Sequence, residues 1–456
     1  MKALFITKPF MIEPLGLMYI SSSAKAHGHE TDIALTTDDL EKKVSQFKPD
    51  AIGYSVITGD QDKYWLINKK LKENHKFVSI FGGPHPTFFP DFINEDGVDI
   101  ICRGEGEQAF SKLLDSLEKG KDISGIGNLY VKHDGKAIQN HVHPLSDIES
   151  PFPDRDLVNK YPHIKNGPIK HFMASRGCPF NCSYCFNDSF FKIYEGKGKR
   201  VRFRGIDSVL SEVQGVVKGS PTKFVYFQDD TFTLNQDWLA EFSDKYPKRI
   251  GLPFHCHVRP NTIDEKKIHL LKKAGCYSVH IAAETADDRL RNEILNRKMS
   301  KEQITDASNL LRQSHIRFMM QNIIGLPTGS LEEDIKTLEM NIECRPDYAW
   351  VSIFQPYPGT RLGELCKAQG IYSGNFSDID SNFFDSSKLD FSEEYKNQLS
   401  NLQKLFAIFV EHPELHNLGL SRMMINLPSE KTKESYKHAY QEFRKKADER
   451  LYGFKL

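Results

Sequence analysis

The chain has 456 residues, enough for two or three domains. Lys plus Arg and Asp plus Glu number 61 each, so the formal net charge is zero and bulk charge gives no reason to expect a nucleic-acid partner. Only three of the 8 cysteines cluster, which argues against a disulfide framework, and no apolar window reaches transmembrane length, so we expect a cytoplasmic protein with no membrane span.

Over residues 1–140, short apolar runs at 3–6, 31–35, 51–54, 77–81 and 98–101 alternate with helical stretches. That rhythm predicts an α/β domain with a parallel, doubly wound sheet, in which ligands sit beyond the carboxyl ends of the strands. The turns at those ends carry Pro9, then Ser55 and Thr58, then Gly82, Gly83 and His85, then Gly104 and Glu105. Glycines let a backbone approach a ligand closely, and the two hydroxyls can donate to one; ordinary α/β turns look much the same. Asp134-Gly135 between residues 128–132 and 137–140 predicts a hairpin. Five prolines follow, Pro144, Pro151, Pro153, Pro162 and Pro168, and mark residues 141–170 as a stiff linker.

Residues 171–187 read HFMASRGCPFNCSYCFN. A short apolar run leads into Cys178, Cys182 and Cys185, a C-x3-C-x2-C array. Seven steps of chain span at most roughly 25 Å, so the loop can curl around an iron–sulfur cube. Three thiolates hold three irons of a [4Fe–4S] cluster and leave the fourth open to a small molecule. Zinc is the alternative, but it prefers four ligands and a second paired half, for which only His255 and His257 offer themselves; three unliganded cysteines are the other.

Downstream, strands at 223–228, 254–258, 277–284, 318–324 and 349–354 alternate with helices. With the run before the cysteines they make six βα units, a partial (β/α)6 TIM-like barrel over residues 171–370. Strand parity places His255, His257 and Arg259 on one face, and Ser278, His280, Ala282 and Glu284 on one face of the next strand. Polar side chains in a barrel lumen need partners, supplied by a zwitterionic ligand or by one another. The basic stretch 192–204 reads as a solvated face or a docking patch for an acidic partner. Residues 371–456 carry two aromatic helical stripes, at 393–410 and 429–452, expected to pack as core and to cap the barrel mouth.

The three-cysteine array with Tyr184 before its last member resembles the signature of the radical S-adenosylmethionine (SAM) superfamily. The Pro14-Leu15-Gly16-Leu17 stretch, the Gly82-Gly83-Pro84-His85-Pro86-Thr87 turn and Gly104-Glu105-Gly106-Glu107 resemble the cobalamin-binding, flavodoxin-like domain that precedes many such barrels. The D-x-H-x-x-G motif that ligates cobalt in many cobalamin proteins is absent, as it often is in cobalamin-dependent radical SAM enzymes. The resemblance implies three cofactors: a [4Fe–4S] cluster on Cys178, Cys182 and Cys185, SAM, and cobalamin. SAM would meet Tyr184, Asp229, Arg259, Glu284, Gly325 and Pro327; cobalamin would meet Pro9, Ser55, Thr58, Gly82, Gly83, His85, Gly104 and Glu105. It also implies a flavodoxin- or ferredoxin-type electron donor and a small-molecule substrate. The expected activity is methylation of an unactivated carbon through a 5′-deoxyadenosyl radical. The alternatives are a non-methylating oxidative cyclisation, ring contraction or rearrangement, and a non-enzymatic cobalamin-binding sensor. A tRNA methylthiotransferase would carry a second cluster on N-terminal cysteines, and residues 1–170 hold only Cys102.

Overall fold

The computed structural model describes residues 1–454 except 146, 150, 376, 377 and 380–382, with only the backbone at Ser429. The chain divides into two compact units. The first takes Met1–Gly167 together with Ser189–Arg202, and the second takes Pro168–Asp188 and Phe203–Leu456.

The first unit opens with β1 (Lys2–Thr7), α1 (Leu15–Ala26), β2 (Glu30–Leu35), α2 (Leu40–Phe47), β3 (Ala51–Ser55) and α3 (Gln61–Asn74). It continues through β4 (Val78–Gly82), α4 (Pro84–Phe88), β5 (Ile100–Cys102) and α5 (Glu107–Glu118) to the strands β6 (Leu129–His133) and β7 (Lys136–Gln139) and the short α6 (Pro162–Lys165). The seven strands form one sheet in the order β2-β1-β3-β4-β5-β6-β7. The first five are parallel and the last two antiparallel. An order of 2-1-3-4-5 is that of flavodoxin-like sheets, whose ligand crevice opens between β1 and β3. Leu4, Ile6, Ile52, Tyr54 and Phe81 build the core on one side of it, with Tyr54 stacked on Phe81 at 4.5 Å. Asp134 and Gly135 both take positive φ, 49° and 76°, as a two-residue hairpin turn requires.

The second unit is built on β8 (Ile169–Phe172), β11 (Phe224–Phe227), β12 (Phe254–Val258), β13 (Cys276–Glu284), β14 (Arg317–Ile324) and β15 (Tyr348–Ile353). These form a six-stranded sheet in that order, and every neighbouring pair is parallel. The two-residue strands β9 (Ser175–Arg176) and β10 (Arg202–Phe203) and the helix α7 (Phe186–Ile193) flank the cysteine loop. Helices α8 (Ile206–Gly219), α9 (Gln236–Arg249), α10 (Glu265–Ala274), α11 (Lys301–Gln313) and α12 (Leu331–Cys344) cross between strands. After β15 come α13 (Arg361–Ala368), α14 (Glu393–Glu411), α15 (Pro413–Asn417), α16 (Leu420–Ile425) and α17 (Ser429–Tyr452). Ser300 and Ser330 each close a capping box, with Gln303 and Glu333, at the starts of α11 and α12. The expected strand parity holds: Phe254, Cys256, Val258, Val279, Ile281 and Ala283 pack outward under the helices, and the polar partners face the lumen.

The carboxyl-terminal helices depart from the expected cap. Leu399, Leu402, Phe406 and Phe409 of α14 pack against Val351 and Ile353 of β15, and Ala447 and Leu451 of α17 pack against Met319 and Tyr348 near the starts of their strands. Ser278 Oγ donates to the Leu451 carbonyl at 2.7 Å, so α17 ends at the amino-terminal end of the barrel. The end of α17 finds its partners there, with the Tyr452 ring 5.5 Å from Phe224 and 6.3 Å from Tyr226.

Candidate functional site

The cysteine loop leaves β8 and is pinned from two sides. A π-helical turn, Leu290–Ile294, receives the Ser183 hydroxyl on the Ile294 carbonyl, and the Leu295 carbonyl accepts from Ser183 N at 3.0 Å. From α13 the Leu362 amide donates to the Ser183 carbonyl at 2.9 Å, and Asn296 Nδ2 donates to the Asn181 carbonyl at 2.7 Å. This short π-helical turn fixes the loop that holds Cys178, Cys182 and Cys185.

Cys182 is buried and its two companions half-buried. Burial pushes the Cys178 thiol up, and the Cys185 thiol up to about 12. Three thiolates in so shielded a place need a cation, so the donor set fits a metal cluster and suits no isolated nucleophile. Arg259 adds positive charge at the same spot: its guanidinium lies 3.8 Å over the Phe180 ring and donates to Cys182 Sγ at 3.4 Å, while its other arm reaches the Arg297 carbonyl.

At the end of β13 the chain is strained. Glu284 has φ 68°, a left-handed conformation rare for a side chain of its kind, and the register with β14 slips between Ala282 and Glu284. The slip aims the Glu284 carboxylate at Tyr184, whose hydroxyl donates to it at 2.6 Å. Arg297 completes the group. It donates to Tyr184 at 2.9 Å, to Glu284 at 3.3 Å and to the Ala282 carbonyl. The motif readings missed Arg297. It lies in an irregular loop between Asn296 and Lys298, both with positive φ, and only the fold brings that loop beneath the cluster cysteines.

These groups border a cavity of about 260 Å³ lined by Tyr184, Glu284, Gln321, Trp350, Ser352, Gln355 and Phe383, among others. Among the described residues, Gln355 Oε1 in its wall is buried with no hydrogen-bond partner, and so is Arg297 Nε of the Glu284 group. Orphaned polar atoms around a cavity are the mark of a site that completes its bonds with a polar ligand, which fits SAM. Of the residues expected to meet SAM, Tyr184 and Glu284 line the cavity and Arg259 adjoins the cysteines. Gly325 and Pro327 are buried in the loop after β14, where Gly325 N donates to Asp334 at 3.1 Å.

Asp229 departs from its expected role. It is fully buried, and its carboxylate accepts from Ser175 Oγ at 2.5 Å and Ala174 N at 3.1 Å. Burial raises it to about 6. The carboxylate therefore braces the start of the cysteine loop rather than standing open to a ligand amino group.

In the first unit the expected cobalamin residues separate into two sets. Pro9 is exposed on the turn after β1, next to Met11 and Ile12, which are 82% and 54% exposed; Ile57, after β3, is also exposed. Large apolar side chains left in water at the crevice of a flavodoxin-like sheet fit a broad, partly apolar ligand. Ser55 is half-buried at the same crevice. Thr58 is buried, with its hydroxyl 3.2 Å from His85 Nδ1. His85 itself is 2% exposed, packs against Phe89 and Phe92, and is lowered by burial to about 4. It is a neutral core histidine, not one presented to a metal from the crevice. Gly83 has φ 94°, and a Cβ there would stand 2.8 Å from the Val56 carbonyl oxygen, so this glycine is demanded by the turn's own packing, while Gly82 before it closes β4. Gly104 and Glu105 are occupied from within the unit. A Cβ on Gly104 would strike the Tyr194 hydroxyl, and Glu105 pairs with Arg202 at 2.5 Å. The basic stretch is likewise partly spent in buried pairs, since Arg204 meets Glu212 at 2.5 Å with both side chains almost wholly buried.

Known proteins match this chain at both units. Residues 1–114 match the B12 binding domain and residues 173–340 the radical SAM superfamily. An uncharacterized methyltransferase of Pyrococcus horikoshii is 32% identical over 371 residues, covering 78% of this chain and 79% of that protein. The anaerobic magnesium-protoporphyrin IX monomethyl ester cyclase of Rubrivivax gelatinosus is 30% identical over 373 residues, 76% of this chain and 65% of the cyclase. Among solved structures, the cobalamin-dependent S-adenosylmethionine radical enzyme OxsB, with aqua-cobalamin and SAM bound, superposes with a TM-score of 0.72 over 99% of this chain and 71% of its own. At 15% identity that likeness is one of fold. The chain thus belongs to the cobalamin-dependent radical SAM enzymes, with cobalamin, a [4Fe–4S] cluster and SAM as its cofactors.

Proposed function

We propose that this enzyme methylates an unactivated carbon of a small-molecule biosynthetic intermediate. The observation that carries the reading is the 32% identity, over 79% of its length, to a protein described as a methyltransferase. When bound, the cluster and SAM supply a 5′-deoxyadenosyl radical able to take hydrogen from carbon, and cobalamin supplies a methyl carrier.

The chain's own part is positioning and the exclusion of water. Cys178, Cys182 and Cys185 hold the cluster, with Arg259 lowering the cost of their charge. Glu284, fixed by Arg297 and Tyr184, accepts from the ligand's hydroxyls at the mouth of the lumen. Gln321 and Gln355 line the same cavity and can turn amide groups to a substrate. Gly325 and Pro327 border the ligand with backbone. In the first unit Pro9, Ser55 and the apolar rim at Met11, Ile12 and Ile57 receive the corrinoid. Electrons come from a flavodoxin- or ferredoxin-type donor.

The 30% identity to a cyclase supports a second reading, an oxidative ring closure without methyl transfer. The two differ in what becomes of SAM. Reconstituted protein, reduced under anaerobic conditions with cobalamin and methyl-labelled SAM, is assayed for both nucleoside products. A methyltransferase forms S-adenosylhomocysteine as well as 5′-deoxyadenosine; the ring-closing reading predicts 5′-deoxyadenosine alone.

A further inference from the structure

Below the cavity, the barrel lumen holds a second concentration of chemistry that the radical site does not use. His255, His257 and His280 each present a ring nitrogen, and the three atoms lie within 4.8 Å of one another. The rings of His255 and His280 are 4.2 Å apart between centroids. His280 lies two residues before Ala282, the β13 partner of the cavity-lining Gln321, so about 7 Å of strand separates this cluster from the floor of the cavity.

The hydrogen bonds fix which nitrogens are available. Ser278 Oγ donates its single proton to the Leu451 carbonyl at 2.7 Å. Toward His255 Nδ1, also at 2.7 Å, it can therefore only accept. That places the His255 proton on Nδ1 and leaves a bare lone pair on Nε2. This atom is fully buried, and neither it nor His280 Nε2 has a hydrogen-bond partner among the described residues. Two buried imidazole nitrogens without a partner are costly unless something accepts their electrons. The Tyr226 hydroxyl lies 2.9 Å from His257 Nε2 and 3.3 Å from His280 Nδ1. Its two lone pairs can take an N–H from each ring, which turns His257 Nδ1 and His280 Nε2 inward as acceptors.

We propose that His255, His257 and His280 form a binding site for a divalent transition metal, with zinc the best match, within the barrel lumen. Three neutral imidazoles with a vacant fourth position suit a borderline cation such as Zn²⁺. Ser278 and Tyr226 play the orienting part that partners of metal-bound histidines usually play. Zinc–nitrogen bonds of about 2.0–2.1 Å in a tetrahedron put ligand atoms about 3.4 Å apart, which small ring rotations reach from the present spacing. Since Ser278 is tied to Leu451, the ion would also anchor the end of α17 to β12 and β13.

The test uses the full-length chain with Cys178, Cys182 and Cys185 all replaced by Ala, so that the cluster loop takes up no metal. Chelator-treated protein is titrated with Zn²⁺ and then with Co²⁺. We expect one metal per chain, intense visible bands of tetrahedral cobalt without thiolate charge transfer, and a zinc-dependent rise in melting temperature. His255→Asn with His280→Asn should abolish uptake. Ser278→Ala keeps the ligands but frees the tautomer, and should weaken zinc about 10–100-fold. Absence of stoichiometric uptake by the parent overturns the proposal, and so do uptake unchanged by the histidine substitutions and a nitrogen-poor or sulfur-containing shell in zinc X-ray absorption.

Discussion

Glu284 combines a left-handed backbone with a buried charge, and Arg297 supplies the charge's counterion. Its side chain and that of Arg297 are 8% and 5% exposed and lie 3.3 Å apart. Removing one partner of such a pair leaves the other buried and uncompensated, at about 3–5 kcal/mol. Glu284→Ala should therefore lower the melting temperature as well as SAM affinity, whereas Glu284→Gln keeps the Tyr184 bond and should lose SAM affinity with a smaller loss of stability. Calorimetry and equilibrium binding of SAM to the cluster-loaded protein separate the two. Arg259 makes a different prediction. Its hydrogen bond to Cys182 and its charge stabilise the more negative state of a cluster, so Arg259→Gln should shift the cluster potential downward in redox titration.

Asp334 ties one element to the next, accepting from Gly325 N of the loop after β14 and, at 2.7 Å, from Tyr395 of α14. Burial outweighs those bonds and raises the carboxyl to about 7, from an ordinary 3.8. Between those values the folded chain holds a proton that the unfolded chain has released. Stability from this group is thus full below about pH 4 and is lost as pH rises toward 7. Asp334→Asn should flatten that slope and gain on the parent above pH 7, measured as melting temperature against pH. Gly83 sets the turn after β4. With φ 94° and backbone atoms of Val56 within 3 Å of a Cβ, Gly83→Ala should destabilise the first unit and reduce corrinoid binding, as read by cobalt content. Much of this was legible beforehand: the strand–helix rhythm, the lumen parity of β12 and β13, and the three-cysteine loop all depend on spacing along the chain. What escaped depends on contacts distant in sequence. Asp229 was expected to meet a ligand and instead holds Ser175; Gly104 and Glu105 suggested a ligand turn but are filled by Tyr194 and Arg202; Arg297 carries no pattern of its own.

At the scale of the molecule, two sheets of different kind divide the cofactor work. A flavodoxin-like sheet opens a crevice at its switch point, and a six-stranded parallel sheet with strand ends rich in polar groups carries the cysteine loop after β8. Residues 189–202 follow the cysteine loop in sequence yet belong with the first unit, an arrangement that composition alone does not reveal. No described helix is long and apolar enough to cross a membrane. The central claim is that Cys178, Cys182 and Cys185 hold an open-cornered iron–sulfur cluster that cleaves SAM, and its most direct test is one anaerobic experiment. Reconstituted wild-type protein and the triple Cys→Ala variant are compared for iron, sulfide and 5′-deoxyadenosine formed from SAM after reduction. The account predicts about four irons per chain and nucleoside release in the wild type, and loss of both in the variant. Equal iron in the two proteins, or a fully loaded wild type that leaves SAM intact, would contradict it.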